Sequence, residues 1–332
     1  MVALTVARES WPIEGGFTIS RGTKTHAEVL VVTLLDDTWR DGGVFGRGEC
    51  VPYARYGESL ESVEAEIEAL RGDLESGLDR AALQGRLKPG AARNAVDCAL
   101  ADLEAKRTRV PVWQILGLEA APGPVTTAYT LSLDTPENMA AKARANANRP
   151  LFKLKLTGEG DLDRVAAVRE AAPRTRLIVD ANEGWAPEMV EPYSRELAAL
   201  GVEMIEQPLP AGADAMLADI DHPVTLCADE SAHARDGLDA LVGRYDMINI
   251  KLDKTGGVTE ALALKHAAEA AGLEIMVGCM LATSLAMAPA VLVGQGARVV
   301  DLDGPLLLSK DRDPALRFEG STIHPPEPAL WG

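Results

Sequence analysis

Cysteine is scarce and scattered: the four in the chain, Cys50, Cys98, Cys227 and Cys279, form no CxxC pair. That excludes a zinc ribbon or a disulfide frame and leaves reduced thiols of the kind a cytoplasm keeps. No apolar run approaches the ~20 residues that would cross a bilayer, so no membrane partner is expected. Basic residues are outnumbered, 33 Lys and Arg against 50 Asp and Glu, for a net charge of -17. Such a surface repels phosphates, which excludes nucleic acid and favours solubility. The opening MVALTVARESWPIEGG lacks a basic segment followed by an uninterrupted apolar stretch, so no secretory signal is read and the expected location is cytoplasmic. A Gly-rich phosphate loop after a first strand is missing too, which argues against a doubly wound, dinucleotide-binding sheet.

What remains is a soluble globular chain of 332 residues, 47% hydrophobic and 25% charged. It exceeds the ~100–200 residues of one ordinary domain, and one large domain plus a smaller one is expected. Up to about residue 120 the pattern is α+β: a strand-like run HAEVLVVTLL (26 to 35), a Gly-rich turn FGRGEC, then helix-like SVEAEIEALRGDL and AARNAVDCALADLEAKR. In the last of these, Ala95, Val96, Ala99, Leu100 and Leu103 keep a helical spacing. The Pro/Gly cluster at Pro122 to Val125 marks a boundary.

Beyond it the rhythm becomes strand, loop, helix, repeated. Apolar runs lie at 125 to 133, 151 to 156, 176 to 182, 203 to 208, 225 to 231, 246 to 253, 274 to 280 and 299 to 304. Amphipathic or alanine-rich stretches separate them, with start signals such as Thr135-Pro136-Glu137. Eight such units at intervals of about two dozen residues predict an α/β fold, a TIM barrel, over residues 121–310.

Catalytic groups of such barrels sit at the C-terminal strand ends. The runs here end in Lys153 and Lys155, Asp180, Glu206, Asp229, Lys251 with Asp253, and Asp301 with Asp303. In FKLKL, Lys153 and Lys155 share one face of a strand, a face that cannot be ordinary core. Any single acid reads more readily as a helix cap or a loop residue. Three acids ending consecutive strands, with lysines on both sides, do not. Asp180, Glu206 and Asp229 would converge and repel one another, which implies a cation; oxygen-only donors favour Mg2+. The five histidines read as ordinary surface or core residues.

Lys153-Leu154-Lys155, Asp180-Ala181-Asn182, Glu206-Gln207-Pro208, Ala228-Asp229-Glu230-Ser231 and Lys251-Leu252-Asp253-Lys254-Thr255-Gly256-Gly257 together resemble the enolase superfamily. Within it the likeness is to the muconate lactonising and dipeptide epimerase branch. The resemblance implies a (β/α)7β-type barrel under an N-terminal α+β capping domain, residues 1–120, with 311–332 packing back on it. It also implies Mg2+ on Asp180, Glu206 and Asp229, with Lys155 and Lys251 as acid/base residues facing each other across the substrate. Lys153 is expected to lower the basicity of Lys155 and to meet the substrate carboxylate.

Two opposed lysines would invert the α-carbon, taking a proton from one face and returning one to the other. The same parts also serve elimination or cycloisomerisation. Asp301 and Asp303 face the same way in an extended strand end, and a DxD there resembles the dipeptide epimerases, where it receives a free α-ammonium. Arg21, Lys24 and Arg55, in loops expected to close over the barrel mouth, are candidates to meet an acidic side chain, as on the glutamate of an L-Ala-D/L-Glu dipeptide. Cys279 and Met280 follow the seventh strand and are candidates to line the same mouth. The reading is a Mg2+-dependent dipeptide epimerase with a small-molecule substrate, and a homo-oligomer is allowed. Its rivals are an N-acylamino acid racemase (for example of N-acetylglutamate), an o-succinylbenzoate synthase or cycloisomerase, and a non-catalytic binding barrel.

Overall fold

The computed structural model describes residues 2–38 and 43–332. Three antiparallel strands open the chain, β1 (Val2–Ile19), β2 (Gly22–Asp36) and β3 (Val44–Cys50), in the order β1-β2-β3. The uninterrupted VLVV of β2 follows from burial on both faces. Leu30, Val32 and Leu34 pack with Ala95, Ala99 and Leu103 of the helix Ala91–Thr108, while Val29 and Val31 belong to the main core on the barrel side.

FGRGEC, expected as a turn, is β3. Its glycines serve packing instead of reversal. A Cβ at Gly46 would stand 2.2 Å from the Ala99 carbonyl, and one at Gly48 would stand 2.1 Å from that of Ala95. The helix Ala91–Thr108 therefore lies directly on the strand backbone, a contact that any side chain would break.

After β4 (Val125–Thr126) come eight parallel strands: β5 (Tyr129–Leu131), β6 (Leu151–Lys155), β7 (Arg176–Asp180), β8 (Val202–Glu206), β9 (Thr225–Ala228), β10 (Met247–Ile250), β11 (Glu274–Gly278) and β12 (Val299–Asp301). They pair in sequence order, and a bridge from Thr127 to Val300 joins first to last, closing the barrel. The helix Pro136–Ala145 starts as its sequence predicts, with Thr135 accepting the Asn138 N–H at 3.3 Å. The crossovers after β8 and β9 carry short 3-10 helices, Ala215–Asp219 and Arg235–Ala240. Pro210, Gly212, Pro223 and Gly237 interrupt those two stretches, leaving no room for three α-turns.

A final hairpin, β13 (Phe318–Glu319) and β14 (Thr322–Ile323), pairs with β4. The segment after residue 310 then returns to the N-terminal unit. Trp331 donates its indole N–H to the Cys98 carbonyl at 3.0 Å, and Arg312 ion-pairs with Glu9 and Glu49 at 2.7 Å each.

Candidate functional site

Side chains alternate along each barrel strand, so the inward faces form layers. The lower layer is apolar: Leu151, Ile178, Met204, Cys227, Met247 and Met276 form one cluster there. Two residues further along each strand the character reverses, to Lys153, Asp180, Glu206, Asp229 and Asn249, with Asp301 on β12. All are buried. Above them stand Lys155, Lys251 and Asp303. Gly278 belongs to the charged layer and is small for a reason, since a Cβ there would come 2.6 Å from the Asn249 amide oxygen.

Lys155 projects from β6, and Lys251 follows β10. These strands are four apart in a closed ring of eight, so the two lysines rise from opposite walls. Lys155 Nζ donates to Asp180 Oδ2 at 2.6 Å and Lys251 Nζ to Asp229 Oδ2 at 2.7 Å. Burial alone would lower the Lys251 pKa, but the carboxylates of Asp229 and Glu206 overcome it and hold it well above the ordinary lysine value. Lys153 is not the bare charge expected from the sequence. Its ammonium lies 2.6 Å from Glu206, 2.8 Å from Asp301 and 3.2 Å from Asp180, so three acids offset its repulsion of Lys155.

One oxygen from each of Asp180, Glu206 and Asp229 can be chosen so that all lie within 4.8 Å of one another. Burial would raise Asp180, yet Lys155 and Lys153 hold it down at about 2. Burial, and then the neighbouring Asp180 charge, push Glu206 up to about 7. Lysines alone therefore do not fully satisfy the three charges. Glu206 Oε2 sits near Lys153 but receives no well-directed hydrogen bond, and it is buried. An oxygen-only donor set with an under-satisfied buried oxygen fits a hard divalent cation such as Mg2+, with water and substrate as further ligands.

Above the charged layer lies a cavity of about 800 Å³ reaching under the N-terminal unit. All the substrate-binding candidates line it: Lys153, Asp301, Asp303, Arg21, Lys24 and Cys279. Their states differ. Arg21, at the tip of the β1–β2 hairpin, already bonds Glu230 at 2.8 Å, Tyr53 Oη at 3.0 Å and the Asn182 carbonyl at 3.1 Å. Arg55 is held by Glu183 at 2.7 and 2.9 Å. Those contacts fasten the hairpin and the Tyr53–Tyr56 turn to the barrel rim. Lys24 has no ion pair among the described residues; it lies 5.4 Å over the Tyr53 ring, and burial, with Arg21 adding to it, lowers its pKa. Cys279 is partly buried below the rim, its thiol pushed up by burial.

Asp303 accepts the Thr130 N–H at 2.6 Å, and burial, then Asp301, push it up to about 7. Asp301 spends Oδ2 on Lys153, while its buried Oδ1 has no hydrogen-bond partner among the described residues.

Sequence reasoning missed Asn249, which donates to Glu206 Oε1 at 2.8 Å, and Lys254, which bonds Asp229 Oδ1 at 2.6 Å. Asn249 had a usable signal, standing midway between inward-facing Met247 and Lys251. Lys254 stands in the run from Lys251 to Gly257 that carries the family resemblance, but strand alternation does not place it, because it reaches Asp229 from a turn outside the strand period.

Residues 1–117 match the model of the Mandelate racemase / muconate lactonizing enzyme N-terminal domain, and residues 138–329 match Enolase C-terminal domain-like. The chain belongs to the enolase superfamily, in its mandelate racemase and muconate lactonizing enzyme family. Among superfamily members it is 47% identical over 326 residues to the L-Ala-D/L-Glu epimerase of Escherichia coli (strain K12), covering 98% of this chain and all of that one. It is 44% identical over 306 residues to an N-acetyl-D-glutamate racemase from a Pseudoalteromonas species, covering 92% and 95%. A crystal structure from Agrobacterium tumefaciens, an enolase family member with homology to dipeptide epimerases, holds sodium and L-Ala-L-Glu with an ordered loop. It superposes with a TM-score of 0.96 at 56% identity over the full length of both chains.

Proposed function

We propose that this protein is a Mg2+-dependent dipeptide epimerase that inverts the α-carbon of the C-terminal residue, with L-Ala-D/L-Glu as its substrate. The observation that carries the reading is the pair Lys155 and Lys251 on opposite walls, with the three acids between them. A binding module has no use for two opposed amines at one carbon.

Asp180, Glu206 and Asp229 would hold the cation, which when bound offsets the second negative charge that develops on a carboxylate as its α-proton leaves. Lys155, as the free amine, takes the α-proton from one face while Lys251, as the ammonium, delivers a proton to the other. The bond to the first hydrogen breaks and a bond to the second forms, with no net change in charge. The opposite epimer uses the same two groups with their protonation states exchanged. Lys153, between Glu206, Asp301 and Asp180, stays protonated and steadies the substrate carboxylate.

The rest of the cavity supports a dipeptide. The unpartnered Asp301 Oδ1, with Asp303 beside it, suits a free α-ammonium, for which an N-acyl group offers no charge. Lys24, a cavity-lining cation without an ion pair among the described residues, suits the glutamate side chain. In this reading residues 1–120 form the cap and 121–310 the catalytic barrel.

The relative named for N-acetyl-D-glutamate keeps a second reading alive, the racemisation of an N-acylamino acid. A screen of dipeptides and N-acylamino acids in D2O with Mg2+, read by mass spectrometry, separates the two. Replacement of one α-hydrogen by deuterium in both L-Ala-D-Glu and L-Ala-L-Glu, abolished by EDTA, is expected. Exchange confined to N-acyl substrates would replace this reading with the second.

A further inference from the structure

Lys254 is absent from the lining of the substrate cavity, lies behind Asp229, and is 1% exposed. Its ammonium donates to Asp229 Oδ1 at 2.6 Å, to the Asp229 carbonyl at 2.5 Å and to the Asn249 carbonyl at 2.9 Å. Three acceptors thus match its three N–H bonds.

The turn that carries it, Leu252–Thr255, is fixed by the cap. Arg93 donates to the Thr255 and Gly256 carbonyls at 2.6 and 3.1 Å, and Asn94 Nδ2 to Asp253 Oδ1 at 2.8 Å. The two glycines that end the turn have φ of +76° and +109°, and a Cβ on either would come within 2.4–2.5 Å of Arg93 or Asp97. Only glycine admits both the conformation and the contact.

The other two acids are held in the same manner. Asp180 Oδ1 accepts the Asn182 N–H at 2.9 Å, and Glu206 Oε1 accepts Asn249 Nδ2. Each carboxylate therefore has one oxygen engaged from behind and the other, Asp180 Oδ2, Glu206 Oε2 or Asp229 Oδ2, left toward the lysines. Of the three restraints, Lys254 is the one that carries charge.

We propose that Lys254 is a positioning residue: by holding Asp229 Oδ1 it presents that acid through Oδ2 alone, and so biases the cluster toward a small six-coordinate cation such as Mg2+ over a larger one such as Ca2+. Three single oxygens leave room for water and substrate in an octahedron, whereas Ca2+ takes 6–8 oxygens and readily accepts a carboxylate through both. The ammonium also offsets part of the negative charge on Asp229 from the side away from the substrate cavity. This inference rests on the metal reading above.

Calorimetric titration of Mg2+ and Ca2+ into the wild-type protein, K254M and K254Q, with melting curves in EDTA and in each metal, tests it. In K254M, Asp229 is free to offer both oxygens, and Ca2+ binding relative to Mg2+ is expected to strengthen by about tenfold or more. K254Q keeps a neutral donor to Oδ1 and should fall between K254M and the wild type. In Mg2+, kcat of K254M should drop while KM for L-Ala-L-Glu changes little. An unchanged Mg2+/Ca2+ ratio in a folded K254M overturns the inference alone. So does failure of both variants to fold with either cation present, which would make Lys254 a purely structural residue. A wild-type protein that binds neither metal overturns the metal reading itself, and this inference with it.

Discussion

Asn94 Nδ2 donates to Asp253 Oδ1 at 2.8 Å, joining the long helix of the N-terminal unit to the turn that follows Lys251. Burial pushes the Asp253 carboxyl up to about 7, against the Val51 N–H and Asn94, which favour its ionised form. A folded-state pKa raised above the unfolded value contributes stability that is full below about pH 4 and disappears as the pH rises through about 7. Asp253→Asn has no such group. Its stability advantage over the wild type, read by urea denaturation, should therefore widen by about 2–3 kcal/mol between pH 5 and pH 8. A constant gap over that range would mean that Asp253 is ionised in the fold throughout.

Separate removal of the opposed lysines should uncouple the two half-reactions. Lys155→Ala and Lys251→Ala are each expected to lose about 10³-fold or more in epimerisation, within the range for general acid–base groups. Each should still exchange the α-hydrogen of one epimer in D2O, and the two variants should favour opposite epimers. Loss of all exchange from both epimers in both variants would contradict a division of labour by face.

Asp303→Asn tests the ammonium contact. Hydrogen bonds to charged groups contribute about 1.5–3 kcal/mol, so kcat/KM for a free-amine dipeptide should fall by about 10- to 100-fold. Turnover of the N-acetylated counterpart should change far less. Equal losses on both substrates would leave Asp303 with only its structural bond to Thr130.

Lys24→Met addresses the side chain of the residue that is inverted. A partly exposed charge contact is worth up to about 1 kcal/mol, so KM for L-Ala-L-Glu should rise by about fivefold while that for a neutral dipeptide stays level. Matching increases for both would assign Lys24 to the hairpin alone.

The barrel was legible because its strands announce themselves twice, by apolar runs and by charged ends. All eight runs overlap a barrel strand, and the charges that end them stack in two layers, Lys153, Asp180, Glu206, Asp229 and Asp301 below Lys155, Lys251 and Asp303. Long-range geometry was less accessible. FGRGEC reads as a turn by composition, since the helix whose backbone it must admit, Ala91–Thr108, lies far downstream in the chain. Arg21 and Arg55 read as free cations because their partners, Glu230 and Glu183, sit on barrel loops that no local pattern connects to the hairpin. Lys254 was hidden for the same reason. Its neighbour in space is set by a turn, not by strand alternation.

The apolar layer under the charged one makes the barrel a cup with a sealed base. The cavity that holds the amines opens at the rim, beside the hairpin that Arg21 pins to Glu230. For protein equilibrated in ordinary water and then mixed with substrate in heavy water, protium in the first product comes from the ammonium that donated it, so the loss of that protium with delay before mixing becomes a clock for cap motion.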